Sequence, residues 1–148
     1  MGYFSSLDIG SSALTAQRLR MDTISQNIAN ANTTRTENGT PYRRREVIFE
    51  ERNASGTPFS HYLTENSKRY FEGKGVRVAR IVEDQTPFKK VYDPGHPDAN
   101  EDGYVEMPNI DIVTEMVNMI SATRAYEANV TSINTTKSMA MKALEIGR

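Results

Sequence analysis

The clearest hydrophobic pattern lies in the last third of the chain, where two rows of residues repeat every seven positions. The first row holds Ile112, Met119, Tyr126, Ile133 and Ala140. The second row, four positions later, holds Met116, Thr123, Val130, Lys137 and Leu144. Alternating steps of four and three place both rows on one face of an α-helix. The pattern therefore predicts one long amphipathic helix from Pro108 to Ile146, with Asn109 or Asp111 as its N-cap.

The N-terminal segment carries a weaker form of the same pattern. Its apolar row holds Leu7, Leu14, Met21 and Ile28. A companion row, apolar only in its second half, holds Gly10, Gln17, Ile24 and Ala31. A stripe this narrow predicts a helix that depends on packing, with a firm start at Asp8, Ser11 or Ser12. The asparagine-rich run predicts the end of this helix, because asparagine side chains compete for backbone hydrogen bonds. That run contains Asn27, Asn30 and Asn32.

The two amphipathic helices stand at opposite ends of the chain, and both show heptad spacing. Such a pair forms either a coiled coil or an ordinary helical hairpin that closes on the middle region. The periodicity favours neither arrangement over the other. All six prolines lie between these helices, from Pro41 to Pro108. We therefore divide the chain into an N-terminal helix (1–32), a middle region (33–108) and a C-terminal helix (109–148).

The middle region is predicted to be rich in β-structure. Residues 44–51 and 75–83 place β-branched side chains between charged ones, as strands do, and residues 86–92 suggest a third strand. Val76 and Val78 share one face, but Ile81 and Val82 break the alternation, which predicts a bulge or an edge strand. The predicted fold class is α+β: two long terminal helices with a small β-rich middle region.

Composition narrows the possible functions. The chain has 148 residues, a formal net charge of −1 and no cysteine, and 37% of its residues are hydrophobic. A near-neutral chain has no overall field that attracts nucleic acid or an anionic membrane. The absence of cysteine excludes disulfides, thiolate metal sites and cysteine nucleophiles. The low apolar share suggests that some apolar surface is buried only against neighbouring subunits.

The sequence contains no recognisable catalytic motif. His61 and His96 belong to no metal-ligand pair, and no serine stands in a nucleophile-elbow motif. We therefore expect no enzyme, no cofactor, no small-molecule substrate and no nucleic-acid partner. No run of about 20 apolar residues predicts a membrane span, and the first residues do not resemble a cleaved secretory signal.

One stretch partly matches a calcium-binding loop. Asp98, Asn100, Asp102 and Gly103 fit the first half of an EF-hand loop, and Glu106 falls at a later ligand position. The position that needs a bidentate glutamate holds asparagine, and Pro108 precedes it. A polar turn is the stronger interpretation, and a calcium-responsive binding module remains an alternative.

Two stretches resemble the flagellar basal-body rod and hook protein family. Residues 24–33 (ISQNIANANT) resemble its N-terminal signature, and residues 109–129 (NIDIVTEMVNMISATRAYEAN) resemble its terminal helix. Residues 134–139 continue the second match. Residues 73–108 resemble the proximal-rod branch, and the short length fits that branch better than the distal rod and hook proteins. A related rod, hook-junction or adaptor protein is the second interpretation.

This resemblance implies a structural subunit whose terminal helices pair as a coiled coil in the core of a hollow, helically assembled rod. Its implied partners are copies of itself, other rod subunits and the flagellar export apparatus, with no cofactor and no membrane insertion. Its implied location is the periplasmic rod, reached without a cleaved signal peptide. The residues expected at the assembly interface are Leu7, Leu14, Met21, Ile24, Asn27, Ile28, Asn30, Asn32, Ile112, Met116, Met119, Tyr126, Val130, Ile133 and Leu144.

Overall fold

The fold combines two long helices with two small antiparallel sheets. The structure, a computed structural model, describes residues 3–52 and 74–146. Its elements in chain order are α1 (Tyr3–Ala29), β1 (Arg45–Glu51), β2 (Val76–Glu83), β3 (Lys89–Tyr92), β4 (Tyr104–Met107) and α2 (Ile112–Ile146). The predicted α+β class, with terminal helices that pack together around a small β region, is confirmed.

The two helices pack against each other in antiparallel fashion. Ile133 lies against Gly10, and the hydroxyl of Thr123 lies 3.6 Å from the sulfur of Met21. Residue numbers therefore fall along α2 as they rise along α1. A β-carbon on Gly10 would lie 2.8 Å from Cγ1 of Ile133, so glycine permits the close approach of the helices at this point.

The face of α2 that is turned towards α1 differs from the predicted one. Met119, Tyr126 and Ile133 are half-buried, as the first heptad row predicts. The second row is wrong at its start: Glu115 and Ala122 are fully buried, whereas Met116 is 55% exposed. The pattern failed here because it assigned buried positions to apolar residues, and the position that is actually buried holds a glutamate.

Both helix starts also differ from the prediction in detail. Helix α1 already begins at Tyr3, and it ends at Ala29, next to the asparagine run as predicted. Helix α2 begins at Ile112, where Asp111 is the N-cap and accepts hydrogen bonds from the backbone and hydroxyl of Thr114. These bonds hold the pKa of Asp111 below its ordinary value.

The first sheet pairs β1 with β2 in antiparallel fashion and contains the predicted bulge. Ile48 pairs with Arg80, but Phe49 pairs with Val78, so Ala79 is an extra residue in β2. The bulge explains the broken alternation, because it puts Val78 and Ile81 on the same face of the sheet.

The second sheet pairs β3 with β4. The predicted third strand is shorter than expected, since β3 covers only Lys89–Tyr92. Strand β4 (Tyr104–Met107) was not predicted, because four residues are too few for a periodic signal.

The start of β2 docks directly on α1. The hydroxyl of Ser12 accepts a hydrogen bond of 3.1 Å from the backbone N–H of Val76 and donates one of 2.7 Å to the carbonyl of Ile9. Gly75 adopts a φ of +97°, and a β-carbon there would lie 2.1 Å from the Ser12 hydroxyl oxygen. Ser12 therefore anchors the sheet to the helix instead of starting the helix.

We predict that Gly10 and Ile133 are energetically coupled. In the wild-type chain, Gly10→Ala combines the higher helix propensity of alanine with a clash against Ile133, whereas in an Ile133→Ala chain the clash is absent. Gly10→Ala should therefore be more favourable in the Ile133→Ala background by about 1 kcal/mol or more. Urea unfolding of the four chains of this double-mutant cycle measures the coupling. A coupling of zero would show that the helices do not meet at this point.

Candidate assembly surface

A buried polar cluster joins the end of α1, the start of β1 and the start of α2. At its centre lies Asn27, whose side chain is fully buried. The amide nitrogen of Asn27 donates to the carbonyl of Arg45 at 2.8 Å and to Oε2 of Glu115 at 3.0 Å. Its oxygen accepts from the backbone N–H of Arg45 at 2.9 Å and from the hydroxyl of Tyr42 at 3.3 Å. Both donor hydrogens and both acceptor positions of the amide are thus used.

Asn27 binds β1 in the manner of a neighbouring strand. It contacts both the N–H and the C=O of one residue, Arg45, which is the pattern that two paired residues in an antiparallel ladder share. The end of α1 therefore covers part of the edge of β1 that β2 leaves open. The side chain of Asn27 therefore does not cap its own helix.

Glu115 is the buried acid of the cluster, and Arg44 is its counter-ion. Oε1 of Glu115 accepts from Nε of Arg44 at 2.9 Å and from the amide of Asn118 at 3.4 Å. Burial alone would lower the pKa of Arg44, but the hydrogen bond and charge of Glu115, together with the charges of Glu46 and Asp84, raise that pKa above its ordinary value. Removing Arg44 would leave the buried carboxylate of Glu115 without its counter-ion, which costs several kcal/mol, whereas Arg44 has two further carboxylate partners in Glu46 and Asp84.

Asn109 extends the cluster to the loop that follows β2. Its oxygen accepts from the backbone N–H of Arg44 at 2.9 Å, and its nitrogen donates to the Thr86 hydroxyl at 2.7 Å and the Asp84 carbonyl at 3.2 Å. The backbone N–H of Thr86 also binds the Asp84 carboxylate, which lowers the pKa of Asp84. Asn109 therefore connects β1 to this loop; the N-cap of α2 is Asp111.

Beside this polar junction, the outer face of α2 carries a stripe of exposed apolar side chains, here called the α2 stripe. Its members are 44–69% exposed and follow helical spacing over more than two turns. The α2 stripe consists of Ile112, Val113, Met116, Val117 and Ile120. A contiguous patch of this kind on a soluble domain is typical of a protein–protein contact.

The other predicted interface residues divide by their environment in the single chain. Ile24 and Asn27 are buried, and Asn30 is half-buried, with its amide donating to the Gln26 carbonyl at 2.9 Å. Asn32, Ile112, Met116 and Leu144 are exposed. The half-buried members are Leu7, Leu14, Met21, Ile28, Met119, Tyr126, Val130 and Ile133.

The sequence prediction missed three polar residues that form the junction. Glu115 and Arg44 were not among the predicted site residues, and Asn109 was predicted only as a possible N-cap. One signal for the burial of Glu115 was available, since Glu115 lies one heptad before the small residue Ala122. No local signal identifies its partners, because they lie 71 and 88 positions away in the chain.

The partial calcium-loop match lies in the connection between β3 and β4. Oδ2 of Asp98 accepts from the Thr34 hydroxyl at 2.8 Å, and the side-chain oxygen of Asn100 accepts from the Tyr104 N–H at 2.8 Å. Asn100 therefore closes a turn, as the stronger interpretation held. Within residues 3–52 and 74–146, no group of three or more acidic or histidine side chains is arranged to hold a metal ion. His61 lies outside the described residues.

The helical ends of the chain match two family models. Residues 7–35 match the model described as flagella basal body rod protein, and residues 101–146 match the model for the C-terminal part of flagellar basal body rod FlgEFG proteins. The flagellar basal-body rod protein FlgC of Bacillus subtilis is 51% identical over 153 aligned residues, which cover all of both chains. That of Borreliella burgdorferi is 52% identical and covers 99% of this chain and 98% of its own. The Escherichia coli O157:H7 protein is 43% identical over the full length of both.

This chain belongs to the FlgC family of flagellar basal-body rod proteins. The family resemblance inferred from residues 24–33 and 109–129 is thereby confirmed. The two family models cover α1 from Leu7 onward and the segment from β4 to α2, and residues 36–100 lie between the two matches. The relatives are structural rod proteins and not enzymes, and neither they nor the family models favour a calcium-responsive module. No helix in the described part of this rod protein meets the length and hydropathy of a membrane span.

We predict that Asn27→Ala destabilises this rod protein by about 3 kcal/mol, because Arg45 and Glu115 lose buried hydrogen-bond partners. Urea unfolding followed by circular dichroism measures the change. The matched control is Asn32→Ala, at an exposed asparagine of the same run, which should change stability by less than about 0.5 kcal/mol. Equal effects of the two substitutions would contradict the geometry of the cluster.

Deprotonation of the Tyr42 hydroxyl makes the stability of the cluster depend on pH in the alkaline range. Burial is the main factor that raises the pKa of Tyr42; the Glu83 and Glu115 carboxylates add to the rise, and Arg45 opposes it. A pKa that is raised on folding contributes stability in full below the unfolded value of about 10 and loses it as pH rises through the folded value.

We therefore expect the wild-type chain to lose more stability than Tyr42→Phe between about pH 9 and about pH 11. Urea midpoints at the two pH values provide the comparison, and Tyr92→Phe, at an exposed tyrosine, is the control. Parallel losses in wild type and Tyr42→Phe would show that folding does not raise the pKa of Tyr42.

Proposed function

We propose that this chain is a subunit of the proximal part of the flagellar rod. In this role it assembles with its own copies and with other rod subunits into a hollow shaft. The shaft crosses the periplasm and transmits torque. Subunits reach the growing end through the flagellar export apparatus without a cleaved signal peptide. Full-length similarity to rod proteins supports this proposal, and the α2 stripe is the structural observation that carries it.

The α2 stripe supports assembly because it remains open after the chain has made its own helix pair. The face of α2 that packs on α1 buries Glu115 and Ala122, while the adjacent face exposes Val113 and Val117 at 69% and 61%. Burying such side chains against a neighbour contributes roughly 25 cal/mol for each Å² removed from water. A contact that does not close into a ring then propagates as a helical filament.

The end of α2 offers a second apolar surface. Met139, Met141, Leu144 and Ile146 are 51–87% exposed. Because Gly10 already lies opposite Ile133, the last turns of α2 extend beyond the described start of α1. We propose that a neighbouring subunit covers this end. The assembly interface then contains Leu144 as well as Ile112 and Met116, all of them exposed in the single chain.

Deletion of the gene in its source bacterium, followed by electron cryo-tomography of the basal bodies, tests the function. We expect the inner rings to remain and the rod, hook and filament to be absent. A complete rod in the deletion strain would overturn the proposal.

Complementation of the deletion strain with point variants tests the surface. Val117→Asp places a charge in the α2 stripe and should abolish motility and rod assembly while the purified chain keeps its stability. Asn134→Asp introduces the same carboxylate at an exposed polar position of α2 that lies outside the α2 stripe, about 25 Å along the helix from Val117, and it should restore both. Motility with Val117→Asp at wild-type level would show that the α2 stripe is not an assembly contact.

A further inference from the structure

We propose that Asn27 and Glu115 determine which face of α2, and which register, α1 selects as its partner. The proposal concerns how the chain chooses between competing helix pairings, and it does not depend on the function proposed above. It rests on the buried polar pair and on an apolar face beside it that α1 does not use.

The choice of face is not the one that apolar burial alone would favour. Around the first turns of α2, the face used by α1 presents Glu115, Asn118 and Ala122 together with the half-buried Met119. The face beside it, the α2 stripe, presents valine, isoleucine and methionine to solvent. Packing α1 on the α2 stripe would bury more apolar surface, so a further interaction directs α1 to the polar face. The bonds of Asn27 to Glu115 and to β1 are that interaction.

The remaining contacts between the helices do not define a single register. If α2 slid by seven residues, Gly10 would meet Tyr126 or Ala140 in place of Ile133. Each of these residues belongs to the same half-buried row. Because the pattern repeats every seven residues, such a slip exchanges one apolar or small contact for another.

The polar pair does define a register. After a slip in one direction Asn27 would face Ala122, and in the other it would face the segment that precedes α2. In either case Glu115 would lose the amide of Asn27, and the amide would lose one of its four partners. An unpaired buried charge is costly, and a buried asparagine that fixes register is the best-established role of polar residues in coiled coils.

Gln17 supplies an internal comparison. It lies on α1 seven residues after Gly10, on the face towards α2, and its Oε1 is buried without a hydrogen-bond partner among the described residues. An amide without a partner gives no preference between registers. Gln17→Leu is therefore the matched control for substitutions at Asn27.

Disulfide trapping in the full chain tests the proposal, because the chain contains no cysteine of its own. Three pairs of introduced cysteines report three pairings. Met21→Cys with Thr123→Cys reports the observed register, in which the two side chains lie 3.6 Å apart. Met21→Cys with Val130→Cys reports a slip of seven residues, and Met21→Cys with Ile120→Cys reports packing on the α2 stripe. Each pair is placed in the wild-type background, in Gln17→Leu and in the double variant Asn27→Leu/Glu115→Leu.

We expect the first pair alone to form an intrachain disulfide in the wild-type and Gln17→Leu backgrounds. In the double variant the ratio of this disulfide to the other two should fall about tenfold, with helical content retained. Arg44 keeps Glu46 and Asp84 within 3.7 Å in that variant, which limits the cost of removing Glu115. Peptide mapping measures the ratio, and circular dichroism measures the helical content.

Three results would overturn the proposal. If the double variant stays helical and forms the first disulfide at the wild-type ratio, other contacts define the pairing. If Glu115→Leu alone and the double variant both lose their helices, the cluster provides stability only and selects nothing. A fall in the ratio in Gln17→Leu equal to that in the double variant would also exclude a specific role for the pair.

Discussion

The structure depends on one side-chain amide that binds a strand edge and a buried carboxylate at the same time. Asn27 pairs with both backbone groups of Arg45 and donates to Glu115, and it is fully buried. A two-stranded sheet leaves backbone groups unpaired along both edges, and it is marginally stable in isolation. The end of α1 covers one such edge, and through Glu115 the same residue fixes the start of α2. Three elements that are distant in sequence thus meet at one point.

This constraint explains why the molecule leaves apolar surface exposed. Because Asn27 and Glu115 draw α1 to the polar face of α2, the neighbouring valines and isoleucines remain open. A chain that buried these side chains internally would have a larger core and no exposed apolar surface for contact with another subunit. In the assembly proposed for this rod protein the balance is different, because the surface left open by one subunit would be covered by its neighbour. The small number of buried apolar residues in the single chain agrees with this division of the core between subunits.

The sequence predicts the helices, the first two strands and the bulge because each of these leaves a local periodic signal. Ile133 and Met119 follow the seven-residue spacing, and the loss of alternation at Ile81 directly reflects the extra residue in β2.

The polar junction leaves no such signal. Glu115 is recognisable as buried only when Arg44 is known to lie beside it, and these residues are 71 positions apart. The face of α2 was mispredicted for the same reason: apolar residues indicate surfaces that avoid water, but they do not indicate whether the partner belongs to the same chain. The family resemblance predicted the class of protein correctly because its motifs, around Asn27 and along α2, lie in the two helices that family members share.

Amide hydrogen exchange at Arg45, measured by NMR on the full chain, tests most directly whether the Asn27 side chain replaces a strand. The N–H of Arg45 points to the edge of β1 that faces away from β2, where the described residues place no further strand, and it donates to Oδ1 of Asn27 at 2.9 Å. The account predicts that this amide exchanges as slowly as the amides of the β1–β2 ladder. It also predicts much faster exchange at Val47, two residues further along the same edge. Exchange of the Arg45 amide as fast as that of Val47 would contradict the account, because the end of α1 would then not hold the edge of β1.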